Sequence, residues 1–484
     1  MSQSSSHRTS KAKSSKPSQR RRFHQATRTE RRAKIEPPVV TPKQHLMQQL
    51  LPAEVLTGLA QKWNARDERQ RKLTCVTFFW LTVLAVGPGG PLSLQKVLTY
   101  LLVAQVVAGV GCLQASLSKE AVSENFRERP WQFFAAVVTY LVSVHAQLWS
   151  QYVGGVPMLA AIRDVQVLMV DATVIRVARQ LVAVFPVSHA KKAADGAGVK
   201  LQVSLNLFRG LPTVLALSPQ AKNERKIAFL RPTGEAALYI FDLGYWTYEL
   251  FDTIITQGQH FISRLRADCN PLILKVYVGK REWVGKRLKE ITLTGQTVDL
   301  LVNVSSDNPH NPQMQHNVRL VGLWHAAKHC WHLYLTSLLA WQKFSAVLIS
   351  ELYRLRWQIE ILFRTLKSTL QLQHFIAHTE NGIRIQIYAA LIHYLLTQII
   401  ILKAAYETGY ALEDFSVPYC LEVVQQVLMQ TQALVVKGQA VNWDEVERQL
   451  VEAVVAKGLR PNRQRKALLT KVKARLSHTA PLPA

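Results

Sequence analysis

Two aspartates follow runs of apolar residues that are short enough to be buried strands. Asp171 follows the run VQVLMV, and Asp242 follows the run ALYIF. A carboxylate is costly to bury, but the end of a strand is rigid enough to hold a metal ligand in place. Taken alone, each aspartate is more simply explained as a turn or helix-capping residue.

A third acid, Glu360, lies in the stretch YRLRWQIEILFRTLK at 353–367. If this stretch is one α-helix with about 100° per residue, four of its polar residues fall within an arc of roughly 60°, namely Tyr353, Arg356, Glu360 and Lys367. A neighbouring apolar stripe is predicted to be buried and contains Leu355, Ile359, Leu362, Phe363, Leu366 and Leu370. The alternative is a solvated face with an ordinary i,i+4 ion pair between Arg356 and Glu360.

Three carboxylates on two strand ends and one helix suit a pair of hard cations. Mg²⁺ prefers oxygen ligands and commonly binds one or two carboxylates together with phosphate oxygens and water. Two such ions can activate a nucleophile and stabilise the leaving oxygen in phosphoryl transfer. Arg356, Lys367 and the Tyr353 hydroxyl would then bind the phosphates of the substrate.

Four of these residues form the pattern Y-x₂-R-x₃-E-x₆-K, namely Tyr353, Arg356, Glu360 and Lys367. This pattern resembles the signature of the insertion-sequence-four family of DDE transposases. The stretches DATVIRV (171–177) and FDLGYWTYELFD (241–252) are similar to the two Asp motifs of that family. The resemblance covers about residues 165–375. It implies an α/β RNase H-like catalytic core, a mixed sheet flanked by helices, with an inserted β-rich subdomain and helical N-terminal and C-terminal regions.

The resemblance also implies a function. The chain would bind the terminal inverted repeats of an insertion sequence, cut DNA at the transposon ends and join the freed 3′-hydroxyl to a target strand. Asp171, Asp242 and Glu360 would be the catalytic residues and would bind two Mg²⁺ ions, for which Mn²⁺ can substitute. The partners would be double-stranded DNA, at the element ends and the target, and a second copy of the chain in a homodimeric synaptic complex. The expected location is cytoplasmic and nucleoid-associated in a prokaryote.

Three further residues are predicted to contact DNA. Arg264 and Arg266 lie on the strand after Asp242, where alternation would place both on one face. Trp331, in WHLYLTS, lies near the position at which relatives carry a tryptophan that stacks on a flipped base; the alternative is a core tryptophan on a strand. Leu243 departs from the family, in which the residue after the second Asp is usually Arg, and this removes one phosphate contact.

The charge of the chain favours a polyanionic partner. The formal net charge is +27, with 59 Lys and Arg residues against 32 Asp and Glu residues. Much of the excess lies in the two tails, 1–45 and 457–484, and nucleic acid is the commonest partner of such a protein. Five scattered cysteines without a C-x-x-C pair argue against a disulfide framework or a structural zinc site and favour a reducing compartment.

Three stretches without charged side chains, at 97–118, 131–162 and 385–402, are long enough to cross a membrane. Their Gln, Ser, His and Gly residues are more typical of buried helices in a globular protein, so no membrane association is expected. The first 45 residues also lack the apolar segment of a signal peptide.

Composition and hydropathy divide the chain into six parts. They are a basic disordered arm (1–45), a helical DNA-binding domain (46–160), the first part of the core (161–270), the inserted β-rich subdomain (271–340), the second part of the core with the Glu360 helix (341–404), and a helical dimerisation region with a basic tail (405–484). The roles given to the two helical regions rest mainly on the family resemblance.

Three functions are compatible with these features. The first is an active transposase, and the second is a domesticated or inactive relative that only binds DNA. The third, a multipass membrane protein, would leave Asp171 and Asp242 without a purpose. Because all three acids are present, the sequence favours the active enzyme.

Overall fold

The computed structural model describes most of the chain between residues 50 and 461. The described ranges are 50–65, 73–109, 116–153, 165–187, 196–222, 236–304, 314–410 and 412–461. The predicted disordered arm (1–45) and nearly all of the basic C-terminal tail lie outside the described residues.

The described strands form one nine-stranded mixed sheet with the order β3-β2-β1-β4-β5-β9-β8-β7-β6. Runs of Val, Ile and Leu build these strands, as expected for a sheet covered on both faces. The strands are β1 (Val165–Val177), β2 (Ala197–Asn206), β3 (Leu211–Pro219), β4 (Ala236–Phe241), β5 (His260–Arg264), β6 (Leu272–Val278), β7 (Thr297–Asn303), β8 (Val318–His325) and β9 (Cys330–Thr336).

The first five strands form the half of the sheet that carries the aspartates. β1, β2 and β3 are joined in antiparallel pairs, whereas β1, β4 and β5 are parallel. This mixed sheet flanked by helices confirms the coarse fold class and is consistent with an RNase H-like core.

The four strands between residues 272 and 336 continue the same sheet. They pair antiparallel with one another, and β9 pairs with β5. An edge strand leaves unpaired N–H and C=O groups, and the pairing with β9 satisfies those of β5. The predicted insertion therefore does not form a sheet of its own, and it holds a fixed register relative to the aspartates.

Helices cover both faces of the sheet and are numbered here in chain order. They are α1 (Ala53–Lys62), α2 (Cys75–Ala85), α3 (Leu94–Thr99), α4 (Leu101–Val107), α5 (Lys119–Glu128), α6 (Trp131–Val153), α7 (Tyr248–Thr256), α8 (Ala346–Arg354), α9 (Trp357–Arg364), α10 (Glu380–Thr408), α11 (Val417–Val436) and α12 (Trp443–Lys457). Residues of α1–α6, of α8–α12 and of one face of the sheet share a single buried cluster. A second cluster covers the other face.

Helix α10 explains one of the long uncharged stretches. Among the described residues it is the one helix that is long and apolar enough to cross a membrane, and that apolar window is completely buried inside the protein. Its apolar side chains pack in the cluster shared with α1–α6, which accounts for the composition.

Candidate active site

The register of the sheet places three predicted site residues in one row. Val170 on β1 pairs with Phe241 on β4, which pairs with Ser263 on β5. The next residues along these parallel strands share one face, because side chains alternate; they are Asp171, Asp242 and Arg264. Neighbouring strands are ~4.8 Å apart, so the two aspartates lie side by side.

Strand β1 does not end at Asp171, contrary to the prediction. It continues to Val177, and Asp171 pairs with Val203 on β2. What ends at this point is the pairing with β4, since β4 stops at Phe241. Asp242 precedes a short 3-10 turn, but its side chain makes no capping hydrogen bond. Helix capping therefore does not explain why an aspartate occupies position 242.

The stretch 353–367 is not one helix, also contrary to the prediction. Helix α8 ends at Arg354, α9 begins at Trp357, and a π-helical turn follows at Thr365–Thr369. At the junction, the N–H groups of Arg356 and Ile359 donate to the carbonyls three residues earlier, which tightens the chain. The predicted apolar stripe is buried in full, because each half keeps the helical period: Leu355, Ile359, Leu362, Phe363, Leu366 and Leu370.

Arg356, at this junction, links two of the three acids. Its guanidinium places Nη2 2.8 Å from Glu360 Oε1 and Nη1 3.5 Å from Asp171 Oδ2. Burial lowers the pKa of Arg356, but the nearby Asp242, Tyr353, Asp171 and Glu360 outweigh it and raise the pKa above its usual value. Arg356 therefore stays charged and holds strand β1 and helix α9 together.

Tyr353 lies buried beside the acids. Its ring packs against Tyr334 with 5.1 Å between ring centroids, and its hydroxyl has no hydrogen-bond partner in the described part of the chain. Burial raises the pKa of Tyr353 to about 12, and the charge of Asp242 acts in the same direction. The hydroxyl thus keeps its proton and can donate a hydrogen bond to an anion.

A cleft of about 440 Å³ opens beside Asp171 and Glu360. Lys367 and Arg364 both line it, and neither has an ion-pair partner among the described residues. Burial lowers the pKa of Lys367. Arg364 is not among the predicted site residues, although it lies four residues after Glu360 and so on the same helix face.

The two predicted arginines of β5 do not share a face. Arg264 is the last residue of β5, exposed and in the row with the aspartates. Arg266 lies beyond the strand, where alternation no longer applies, and its Nε donates to Asp268 Oδ1 over 2.9 Å. Only Arg264 is brought to the site.

Trp331 lies on the opposite face of the sheet from the carboxylates. It packs against the second buried cluster and against Trp324, with 5.7 Å between ring centroids. The next residue along β9, His332, lies on the face that carries the carboxylates, because side chains alternate along a strand. The structure therefore does not bring Trp331 to the other predicted site residues.

The acids have the chemistry of a site for a hard cation. Asp171 and Glu360 are partly exposed, with 21% and 30% of their side-chain surfaces accessible. They offer oxygen atoms, which Mg²⁺ and Mn²⁺ prefer. No three His, Cys, Asp or Glu side chains are close enough to hold one ion in the part of the chain that the structure describes. The Arg356 guanidinium contacts both Asp171 and Glu360, so in this structure the two carboxylates share a protein cation.

The chain is similar to known transposases. Residues 163–396 match the family model described as transposase DDE domain, and this range contains Asp171, Asp242 and Glu360. A putative transposase of Sinorhizobium fredii, y4zB, is 28% identical over 204 residues, which cover 42% of this chain and 53% of the relative.

Two insertion-sequence proteins are similar over longer stretches. The transposase for IS231F of Bacillus thuringiensis is 24% identical over 314 residues, or 57% of this chain and 64% of the relative. The transposase InsG for IS4 of Escherichia coli is 24% identical over 259 residues, or 51% of this chain and 54% of the relative. The chain thus spans about half to two thirds of the length of these relatives. Residues 163–396 are therefore identified as a transposase DDE domain, and the chain is similar to the transposases of the insertion sequences IS231F and IS4.

Proposed function

We propose that this chain is the active transposase of a bacterial insertion sequence, which binds terminal inverted repeats and catalyses metal-dependent cleavage and strand transfer of DNA. The observation that supports the proposal is the placement of the acids. Asp171 and Asp242 follow paired residues of the neighbouring strands β1 and β4, and Asp171 and Glu360 share an arginine that can also bind phosphate.

The residues around the acids would bind and orient the DNA. Asp171, Asp242 and Glu360 would hold divalent ions, Mg²⁺ or Mn²⁺, which stabilise developing charge in phosphoryl transfer. Arg356, when it turns from the carboxylates, would bind a phosphate next to the reacting bond, and Tyr353 would donate a hydrogen bond to it. Lys367 and Arg364 would hold the backbone in the cleft as additional cations.

The remaining parts of the chain would recognise the ends and pair them. The helices of 46–160 would bind the inverted repeats with the basic arm, and the helices of 405–484 would bring two copies together. The partners are then double-stranded DNA and a second copy of the chain, in the bacterial cytoplasm at the nucleoid.

The first prediction tests the role of Glu360. Glu360→Gln removes a metal-binding charge and keeps the size of the side chain, so we expect a loss of cleavage of at least a hundredfold, on the order seen for an essential catalytic group. Cleavage is measured on a labelled duplex that carries the inverted repeats flanking the gene, with Mg²⁺.

Glu380→Gln is a matched control, because Glu380 also forms an i,i+4 ion pair with an arginine, Arg384, but lies on another helix, α10. Unchanged cleavage by Glu360→Gln would falsify the proposed catalytic role. If the unmodified protein binds the repeats and cuts none, the chain is an inactive relative that only binds DNA.

A further inference from the structure

The hairpin of β8 and β9 extends past the row of acids. Tyr334 on β9 pairs with Arg264, so it continues the row that contains Asp171 and Asp242. Residues 330–333 of β9 lie beyond this row, which corresponds to ~13 Å of strand. The hairpin thus projects from the end of the sheet at which the carboxylates lie.

The hairpin carries basic residues on the same face as the acids. Tyr334 contacts Tyr353, so alternation places His332 on that face too. The rings of His332 and His325 lie 5.0 Å apart across the two strands. Lys328 is exposed in the turn, and Arg264 lies at the base of the hairpin. We call Arg264, His325, Lys328 and His332 the hairpin ridge.

The charged residues of the ridge are Arg264 and Lys328. The side chains of Arg264, Lys328 and His332 make no ion pair with a carboxylate among the residues that the structure describes. Burial lowers the pKa of His332, and the charges of His325, Arg264 and Lys328 add to this effect. Like charges gathered on a projecting hairpin repel one another, and a polyanion would relieve that repulsion.

We propose that the hairpin ridge binds the DNA backbone on one side of the scissile phosphate, while Lys367 and Arg364 bind it on the other. This rests on the proposed function. The cleft adjoins β1, whereas the ridge adjoins β5 and β9, so the acids lie between two basic surfaces. From β1 to β9 is three strand spacings, or ~14 Å, which equals about four base-pair steps along one DNA strand.

The duplex is favoured as the occupant because the ridge matches a charged backbone rather than an apolar partner. Trp324 and Trp331 face the other side of the hairpin, so the ridge face carries imidazole, ammonium and guanidinium groups together with Leu323, the cross-strand partner of His332. Such groups contact phosphate oxygens and set the position of the duplex without reading its sequence. The ridge is therefore expected to contribute equally to the binding of all DNA sequences.

Salt dependence of binding tests this proposal. Lys328→Glu replaces a phosphate contact by a repulsive charge, so we expect the slope of log K against log salt to become shallower by about one or more. The probe is a fluorescently labelled duplex of arbitrary sequence, measured by anisotropy. Lys286→Glu is the matched control: it makes the same charge change at an exposed residue beside β6, three strands from β9.

Photo-crosslinking tests the position of the duplex. p-Benzoylphenylalanine incorporated at Ala327, in the exposed hairpin turn, should crosslink to a duplex carrying the element end, at nucleotides next to the cut. The same group at Val284, exposed beyond β6, should not. Equal salt slopes for Lys328→Glu and Lys286→Glu, or no crosslink at Ala327, would overturn the proposal. Glu360→Gln keeps the ridge, so a failure of catalysis is read separately from a failure of ridge binding.

Discussion

At the scale of single residues, Arg356 contacts two of the acids and is also the proposed ligand of a DNA phosphate, and these two roles exclude each other. While its guanidinium contacts Asp171 and Glu360, those carboxylates share a protein cation and are less available to a metal ion. A DNA phosphate would compete for the same guanidinium. Binding of metal and binding of DNA are therefore expected to favour one another through this side chain.

Arg356→Gln should strengthen metal binding in the absence of DNA. The lost contacts are charge-assisted and partly buried, each worth on the order of 1.5–3 kcal/mol, so Mn²⁺ affinity is expected to rise about ten- to a hundredfold. Isothermal titration of the DNA-free protein with Mn²⁺ measures this. The control is Arg384→Gln, which breaks the i,i+4 pair of another helix, α10. Equal Mn²⁺ affinity in all three proteins would show that Arg356 does not compete with the metal.

Residue spacing predicted part of this arrangement and missed the rest. The i,i+4 pair of Arg356 with Glu360 and the buried apolar stripe were predictable, because both depend only on local helical period. The contact of Arg356 with Asp171 was not, since it joins residues far apart in sequence. It also depends on the break between α8 and α9, for which no proline or glycine gives a signal.

At the scale of elements, a buried ion pair connects the added strands to the helix of the third acid. Arg319 on β8 donates from Nε to Asp299 Oδ1 on β7 over 2.7 Å, and its Nη1 donates to the carbonyl of Phe344 over 2.7 Å. Phe344 lies just before α8, which leads to Glu360. Burial raises the pKa of Asp299, and Arg319 opposes this shift.

Asp299→Ala should destabilise the protein strongly. It leaves the fully buried guanidinium of Arg319 without its counter-charge, so we expect a loss of about 3–5 kcal/mol in the free energy of unfolding, measured with urea. Asp268→Ala is the matched control: Asp268 makes the same two-bond contact with Arg266 but is 64% exposed. The free energy of unfolding of Asp268→Ala should fall by at most about 1 kcal/mol. Similar losses in both variants would contradict the role given to burial.

The sequence predicts where the strands lie in the chain better than it predicts their order in the sheet. The hairpin of β2 and β3 and the strands before and after Asp242 follow from short apolar runs bounded by turns. The pairing of β9 with β5 involves residues such as Thr336 and Ile262 that are distant in the chain. Alternation shows that such strands exist but does not specify the partner strand, so the sequence predicts the inserted strands without their pairing to β5.

At the scale of the whole molecule, one buried cluster joins the N-terminal helices to the helices that follow the third acid. His393 on α10 illustrates the contact: its Nδ1 lies 3.0 Å from the carbonyl of Val83 on α2. Composition alone predicted that these helices exist. It did not show that α10 packs between them, because a buried helix and a membrane span have the same apolar composition.

The same histidine predicts that stability depends on pH. Burial lowers the pKa of His393 to about 4, and burial lowers that of His145 to about 4 as well. In the unfolded chain both would titrate near 6.5. Between these values the unfolded state binds more protons than the folded state, so stability is complete above about pH 6.5 and falls as the pH drops towards 4. Each histidine contributes about 3 kcal/mol to this fall.

His393→Gln should therefore remove about half of the acid sensitivity that the two histidines cause. The measurement is the urea midpoint at several pH values between 4 and 7, for the unmodified protein and the variant. The variant loses stability at pH 7, because the packing around Val83 changes, but its midpoint should vary less with pH. His329→Gln, in an exposed turn, serves as the control and should leave the dependence unchanged. An equally steep fall in His393→Gln would mean that other groups drive acid unfolding, and that α10 and α2 separate before His393 takes up its proton.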